Sequence, residues 1–165
     1  MGKQIEIKAV ITEFDSLDDL TQSDKELLDA AGKAADAAYA PYSRFNVGAA
    51  VLLDNGEVIQ GNNQENVAYP SGLCAERVAL FFVGAHHPKV PLKAIAITAK
   101  SESFKIDEPL APCWACRQVM IEYEKKFDQN IRIILRGQEG KIYIIDSVSD
   151  ILPLSFSSDK LKGDL

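Results

Sequence analysis

Cysteine is scarce in this chain, with three in 165 residues, and all three fall within two short segments. An odd number of cysteines, two of them spaced as Cys-x-x-Cys, argues against a disulfide framework and indicates a reducing compartment. Long apolar runs are lacking as well, because no stretch reaches membrane-spanning length and the first residues do not have a signal-peptide pattern. We therefore expect a cytoplasmic protein without a membrane partner.

Basic residues are also in deficit, with 18 Lys and Arg against 24 Asp and Glu and a formal net charge of -6. Proteins that track a polynucleotide neutralise phosphates with clustered basic side chains, so this balance argues against a nucleic-acid polymer as partner. The composition, 47% hydrophobic and 25% charged, is otherwise ordinary for a globular protein, and no repeat or low-complexity tract is present. We expect one domain that takes a small soluble partner.

Hydrophobic periodicity predicts an α/β domain. Alternation over 4–11 predicts a half-buried strand, and Ser23 with Glu26 matches a capping box that opens a helix ended by Pro41. The turn residues 54–56 lie between apolar runs and predict a β-hairpin. Further elements are predicted as strands at 92–98, 131–135 and 141–145, helices at about 74–84 and 116–126, a short helix at 147–153, and a polar tail that frays after Asp159.

The two cysteine segments carry the chemistry. They read Cys74-Ala75-Glu76-Arg77 and Pro112-Cys113-Trp114-Ala115-Cys116-Arg117. Three thiolates leave one of zinc's four tetrahedral positions open, which is the usual plan of a catalytic zinc site. Glu76 is a carboxylate placed to handle the protons of whatever occupies that position. Cys-x-Glu followed by Pro-Cys-x-x-Cys is the pattern of zinc-dependent deaminases.

Each cysteine segment is expected to open a helix, where free backbone N–H groups and the helix dipole favour thiolate over thiol. A zinc ion held there lowers the pKa of water to about 7, and Glu76 is predicted to pass the proton on to the substrate. Three thiolates leave a negative centre, so we predict that one or both of Arg77 and Arg117 donate hydrogen bonds to ligand sulfurs and withdraw charge. The alternative for each arginine is an ordinary surface ion pair.

Two other interpretations of the cysteines stay open at this point. A closed structural zinc site needs a fourth protein ligand, for which the available histidines are His86 and His87. A redox Cys-x-x-Cys pair is the second alternative, but it leaves Cys74-x-Glu76 unexplained. Glu76 could also be an ordinary residue on a helix surface.

Taken together, these motifs resemble those of cytidine deaminases of the compact, all-cysteine type, over about Ser23 to Leu161. The zinc motif indicates the deaminase superfamily, and Asn63-x-Glu65 is typical of members that act on free nucleosides. Further matching stretches are Ala40-Pro41-Tyr42-Ser43, Phe45, Val47-Gly48-Ala49-Ala50, Gly61 to Asn66, Tyr69-Pro70, Gln118, Leu152-Pro153 and Ser155-Phe156.

The resemblance implies a three-layer α/β/α fold with a five-stranded mixed sheet, and zinc-dependent hydrolysis of cytidine and deoxycytidine to uridine and deoxyuridine plus ammonia. It implies one zinc ion per chain, held by Cys74, Cys113 and Cys116, with Glu76 as proton shuttle. Compact members are homotetramers that share residues between active sites, although a dimer is possible here. The implied substrate contacts are Phe45 stacking on the base, Asn63 and Glu65 on the ribose hydroxyls, the Ala75 backbone on the base carbonyl, and Phe156 borrowed from a neighbouring chain.

From the residues alone, some of these roles have rivals. An amide and a carboxylate two apart on an extended loop project to the same side and suit two sugar hydroxyls, but Asn63 and Glu65 could instead serve the structure of the loop, for example by capping a turn. Phe45 and Phe156 could be ordinary core residues.

The chain departs from the family pattern in two places. Trp114 stands where the family usually has a small residue, and we expect it at the pocket or its mouth, although it could instead fill a gap under the preceding loop. Residues 1–22 are predicted to be an N-terminal extension of added strand and turn, ahead of a catalytic domain at 23–165. The alternative functions are deamination of another aminopyrimidine nucleoside or nucleoside antibiotic, and a non-catalytic zinc-stabilised domain.

Overall fold

The computed structural model describes residues 2–157, so the predicted fraying after Asp159 lies outside the described residues. Three α-helices, α1 (Gln22–Asp36), α2 (Ala75–His86) and α3 (Trp114–Phe127), accompany the strands of one sheet. Within the described residues, no helix combines the length and apolar character needed to cross a bilayer. The strands are β1 (Thr12–Phe14), β2 (Phe45–Leu53), β3 (Val58–Asn62), β4 (Leu92–Ser101), β5 (Arg132–Arg136) and β6 (Ile142–Ile145).

The sheet is mixed, with the strand order β1-β6-β5-β4-β2-β3. β4 and β5 are parallel, whereas the other neighbouring pairs are antiparallel, including the predicted β2–β3 hairpin. The predicted sheet of five strands is present as β2 to β6. The sixth strand, β1, adds three residues at the edge beside β6, where Thr12 to Phe14 pair with Ile144 to Ile142.

Helices cover both faces of the sheet, which confirms the three-layer α/β/α prediction. Successive strand side chains point to opposite faces, so Ile133 and Leu135 of β5 pack in the core under α2 and α3. Ile134 between them packs under α1 on the other face. The two helices predicted to carry the cysteines therefore share one face.

Two glycines let helices approach the sheet closely. A Cβ at Gly48 of β2 would lie 1.9 Å from the Ala31 carbonyl oxygen of α1. A Cβ at Gly61 of β3 would lie 2.5 Å from the Ala75 carbonyl oxygen and 2.6 Å from the Ala79 nitrogen of α2. Because these obstacles are backbone atoms, a side chain at either position requires the helix to move.

The predicted strand over 4–11 is wrong. Those residues form no regular element, and Ile5 is 79% exposed and Ile7 54% exposed. A segment of alternating polar and apolar residues forms a strand only where it can pair with another strand and pack on a core. Here β6 pairs with Thr12–Phe14 instead of with residues 4–11. The alternating pattern by itself could not indicate which residues reach the sheet.

Helix boundaries also differ from those predicted. Thr21 caps α1 by accepting from the Asp24 N–H at 3.2 Å, so the capping residue is not Ser23, and α1 ends at Asp36 before Pro41. α2 continues past Gly84 to His86. A Cβ at Gly84 would lie 2.5 Å from the hydroxyl of Tyr123 on α3, so this glycine serves helix packing instead of helix termination.

Gly61→Ala should lower the free energy of unfolding by about 1–3 kcal/mol, because the added methyl group displaces α2 from the sheet. Urea denaturation measures the change. The control is Gly32→Ala, since a Cβ there meets nothing within 4 Å and the exchange is expected to stabilise α1 by about 0.5–1 kcal/mol. Equal stability of the parent and Gly61→Ala would contradict the close-packing argument.

Candidate active site

Two helix N-termini meet on one face of the sheet and bring the three cysteines together. Cys74 is the N-cap of α2 and Cys113 is the N-cap of α3, and neither helix start receives a side-chain capping bond. Their N–H groups are thus directed at the site, where the helix dipoles favour negative charge. The two helices are tied by the Tyr123 hydroxyl, which donates to the Leu80 carbonyl oxygen at 2.7 Å.

The three sulfur atoms have the spacing that a zinc ion needs. The Sγ atom of Cys113 lies 3.8 Å from that of Cys74 and 3.4 Å from that of Cys116, and all three lie within 4.8 Å of one another. Zn–S bonds of about 2.3 Å in tetrahedral geometry place ligand sulfurs about 3.8 Å apart, so the site fits zinc. Among the described residues, no His, Asp or Glu joins this group.

The histidines considered as a fourth ligand have other neighbours. The Nδ1 atom of His86 lies 3.0 Å from the Phe82 carbonyl oxygen, and the Nε2 atom of His87 lies 3.8 Å from the Glu57 carboxylate. Both residues lie at the C-terminal end of α2, whereas Cys74 lies at its N-terminus. The described residues therefore do not form the closed structural zinc site.

Local contacts favour thiolate at the first cysteine. Hydrogen bonding with Cys116, together with bonds from Arg77 and Cys113, lowers the pKa of the Cys74 thiol to about 5. The Nη2 atom of Arg77 lies 3.6 Å from the Cys74 sulfur. The hydrogen bond between Cys74 and Cys116, together with burial, raises the pKa of the Cys116 thiol.

Glu76 lies in the first turn of α2 and is 4% exposed. Burial raises the pKa of its carboxyl group, with the Cys74 thiolate adding to the rise. A carboxyl group that binds a proton more tightly than usual can accept one from water and release it to a basic substrate atom. Its position is therefore chemically suited to proton transfer.

Beside the cysteines and Glu76 lies a cavity of about 680 Å³. Its walls come from the start of β2, the loop after β3, the N-terminus of α2 and the end of the loop before α3. The lining residues are Tyr42, Ser43, Phe45, Val47, Asn63, Gln64, Glu65, Asn66, Tyr69, Gly72, Leu73, Cys74, Glu76, Arg77, Leu110, Ala111 and Cys113.

Asn63 and Glu65 line this cavity and also bond to its wall. The Asn63 side chain accepts from the Val47 N–H at 2.8 Å and donates to the Phe45 carbonyl oxygen at 2.9 Å. The Glu65 carboxylate accepts from the N–H groups of Tyr42 and Ser43. Phe45 also lines the cavity, and its ring stacks on Phe104 with centroids 6.0 Å apart.

Other predicted residues lie away from the cavity lining. Arg117 donates to the carbonyl oxygens of Pro112 at 2.7 Å and Ile151 at 2.8 Å, so its partners are backbone atoms and not sulfurs. Trp114 is 65% exposed with the Arg117 guanidinium 5.5 Å above its ring, and Phe156 is 68% exposed. Ala75 is fully buried as the first residue of α2.

Several residues that build the site have no role predicted from the sequence. Ser43 bonds to Glu65, Leu110 and Ala111 form a wall, and Tyr123 holds α3 against α2. Ser43 stands inside a motif already noted, and Ala111 lies one residue before Pro112, so proximity to a motif was an available signal. Tyr123 carried no such signal, because its contact joins residues 43 positions apart.

Comparisons with known proteins agree with this geometry. The family model described as "Cytidine and deoxycytidylate deaminase zinc-binding region" matches residues 21–127. A cytidine deaminase of Halalkalibacterium halodurans is 39% identical over 135 residues, covering 82% of this chain and 95% of that protein. A cytidine deaminase of Sporosarcina psychrophila is 37% identical over 137 residues, covering 83% of this chain and 93% of that protein. The crystal structure of a cytidine deaminase from Burkholderia pseudomallei has a TM-score of 0.70 and 40% identity, covering 83% of this chain and all of that one.

Arg77→Gln should weaken zinc binding about tenfold, because it removes the hydrogen bond and positive charge beside the Cys74 sulfur. Competition with a chromophoric chelator measures the affinity. Arg117→Gln is the matched control, since that arginine bonds to backbone carbonyl groups. Unchanged affinity in Arg77→Gln, or a larger loss in Arg117→Gln, would contradict the assignment.

Metal-free Glu76→Gln should be more stable than the metal-free parent at pH 7. The folded state raises the pKa of Glu76, so the folded parent binds the proton more tightly than the unfolded chain does. Its stability therefore falls as pH rises from the unfolded pKa through the folded pKa, and glutamine does not have this loss. Urea denaturation between pH 4 and pH 7 measures the difference, which should shrink towards pH 4. A variant less stable than the parent at pH 7 would refute the burial argument.

Proposed function

This chain belongs to the cytidine and deoxycytidylate deaminase family, and we propose that it hydrolyses cytidine and deoxycytidine to uridine and deoxyuridine with release of ammonia. The observation that carries the proposal is the buried Glu76 beside three zinc-spaced sulfurs at the end of a cavity large enough for a nucleoside. One zinc ion per chain, held by Cys74, Cys113 and Cys116, would supply a Lewis acid that makes water a nucleophile near neutral pH.

Glu76 is the proton carrier in this proposal. Water adds to the amino-bearing ring carbon, Glu76 takes a proton from that water, and it delivers a proton to the neighbouring ring nitrogen. Glu76 then transfers the proton of the newly added hydroxyl group to the amino group, so that the carbon–nitrogen bond breaks, ammonia leaves and the ring carbon becomes a carbonyl. Burial of Glu76 supports this role because it brings the pKa of the carboxyl group closer to neutral pH.

The cavity walls are suited to the rest of a nucleoside. The Phe45 ring stacks on the pyrimidine, and the polar side chains of Asn63 and Glu65 bind the ribose hydroxyls. The backbone of Ala75 at the start of α2 binds the base carbonyl oxygen, since the first N–H groups of a helix have no partner within the helix.

Arg77 withdraws charge from the Cys74 sulfur, as its 3.6 Å contact supports. Arg117 has an indirect role, in which it anchors the start of α3. Its hydrogen bonds to the carbonyl oxygens of Pro112 and Ile151 support this role.

We propose that the catalytic domain spans 23–165 and that 1–22 form an extension. The domain assembles as a homotetramer in the cytoplasm. Phe156 is an exposed aromatic side chain outside the cavity lining, which supports its reaching a pocket of a neighbouring copy. Trp114 is also exposed and outside the lining of the cavity in its own chain. Three free cysteines among the described residues are compatible with a reducing compartment.

The parent should release ammonia from cytidine, with loss of the ultraviolet absorbance of the cytosine ring. Glu76→Gln should lose at least about 10²–10⁴-fold in kcat while keeping one zinc per chain, because only the proton carrier is removed. Metal analysis and native mass spectrometry of the same preparations report zinc content and the expected four chains per particle.

Glu122→Gln is a matched control, because it makes the same carboxyl-to-amide exchange at an exposed position of α3 outside the cavity lining, and it should leave kcat within about threefold. A parent that binds zinc but is inactive on cytidine and deoxycytidine would overturn the proposed function. A Glu76→Gln variant as active as the parent would remove Glu76 from the mechanism.

A further inference from the structure

The chain makes a strained turn at the rim of the cavity, just before β2. Arg44 has a φ of 55°, a left-handed conformation that costs a residue with a Cβ about 1–2 kcal/mol. Two hydrogen bonds hold the turn: the Arg44 N–H donates to the Ala40 carbonyl oxygen at 3.0 Å, and the Phe45 N–H donates to the Ser43 Oγ at 3.1 Å. The strain therefore persists because neighbouring groups fix the backbone.

The hydroxyl of Ser43 makes a second bond, and that bond reaches the loop after β3. It donates to Glu65 Oε1 at 2.5 Å while it accepts from the Phe45 N–H. A hydroxyl group has one donor and two acceptor sites, so it can make both bonds at once. The other Glu65 oxygen accepts from the N–H groups of Tyr42 at 2.9 Å and Ser43 at 3.3 Å. One side chain thus links two groups that line the cavity.

Phe45 is consequently held at three points. Its N–H bonds to Ser43, its carbonyl oxygen accepts from Asn63, and its ring stacks on Phe104 at an interplanar angle of 19°. Of these contacts, the one through Ser43 alone also sets the orientation of the Glu65 carboxylate. The Ser43 hydroxyl group therefore joins the Phe45 backbone directly to the Glu65 carboxylate, in addition to the two backbone N–H groups from which that carboxylate accepts.

We propose that Ser43 is a positioning residue of the nucleoside site: it holds the Glu65 carboxylate and the Phe45 ring in one fixed arrangement, so that sugar and base are bound together. This inference rests on the proposed function, which assigns Glu65 to the ribose and Phe45 to the pyrimidine. The bond from Ser43 also lowers the pKa of the Glu65 carboxyl group, so this contact favours the ionised form, which accepts hydrogen bonds from sugar hydroxyls.

Steady-state kinetics of Ser43→Ala on cytidine and on 2′,3′-dideoxycytidine test the proposal. KM for cytidine should rise about tenfold, as expected for losing a hydrogen bond to a charged group, while kcat stays within about twofold. Dideoxycytidine lacks the hydroxyl groups that Glu65 binds, so the variant should lose less on it. The parent's preference for cytidine, as a ratio of kcat/KM values, should fall at least about threefold.

Ser16→Ala is the matched control. Ser16 makes the same kind of local bond, accepting from the Asp18 N–H at 3.1 Å, but outside the cavity lining, and its removal should leave both KM values unchanged. Ser43→Thr and Ser43→Val form a second pair of nearly equal shape in which one keeps the hydroxyl group. Ser43→Thr should keep KM for cytidine within about threefold of the parent. Ser43→Val should raise it about tenfold, as predicted for Ser43→Ala, so this pair tests the hydroxyl group even if Ser43→Ala does not fold.

Several outcomes would overturn the inference. An unchanged KM in Ser43→Ala, equal losses on the two substrates, or the same KM in the Thr and Val variants would each show that the hydroxyl group does not position the nucleoside. An active parent with these results leaves the proposed function intact. A zinc-bound parent that is inactive on cytidine and deoxycytidine instead refutes the proposed function, so the two failures are distinguishable.

Discussion

The site depends on bringing three thiolates close together without leaving their charge uncompensated. The N-termini of α2 and α3 supply partial positive charge, and Arg77 adds a full charge at 3.6 Å from the Cys74 sulfur. This arrangement requires both helices to lie on one face of the sheet with their starts together. Gly61 permits the close approach of α2, and Tyr123 bonds α3 to it.

The opposite wall of the cavity is built from backbone held by side chains. The amide of Asn63 bonds to Phe45 and Val47, and the carboxylate of Glu65 bonds to the turn at Tyr42 and Ser43. The polar residues that suit a sugar therefore also shape the wall on which a base can stack. A rigid wall reduces the entropy lost when a ligand binds, which favours holding such groups in place beforehand.

The fold was predictable where the pattern was local and strong. The hairpin at β2 and β3, the helices after Cys74 and Cys113, and the strands of the central sheet all follow from periodicity and turn residues. Prediction failed where the partner decides the structure. The alternation over 4–11 pairs with nothing among the described residues. Thr21 caps α1 by accepting from the Asp24 N–H, although Ser23 fits the capping pattern equally well.

The sequence by itself determined the chemistry: three cysteines and Glu76, at spacings that zinc deamination requires, can be recognised without coordinates because the donor types and their offsets along a helix are local properties. Only the tertiary structure decided which groups meet across the chain. It directed Arg77 to a sulfur but Arg117 to two carbonyl oxygens, and it joined Ser43 to Glu65, 22 positions apart. Such contacts depend on how helices and loops pack on the sheet, and that packing is a property of the whole chain.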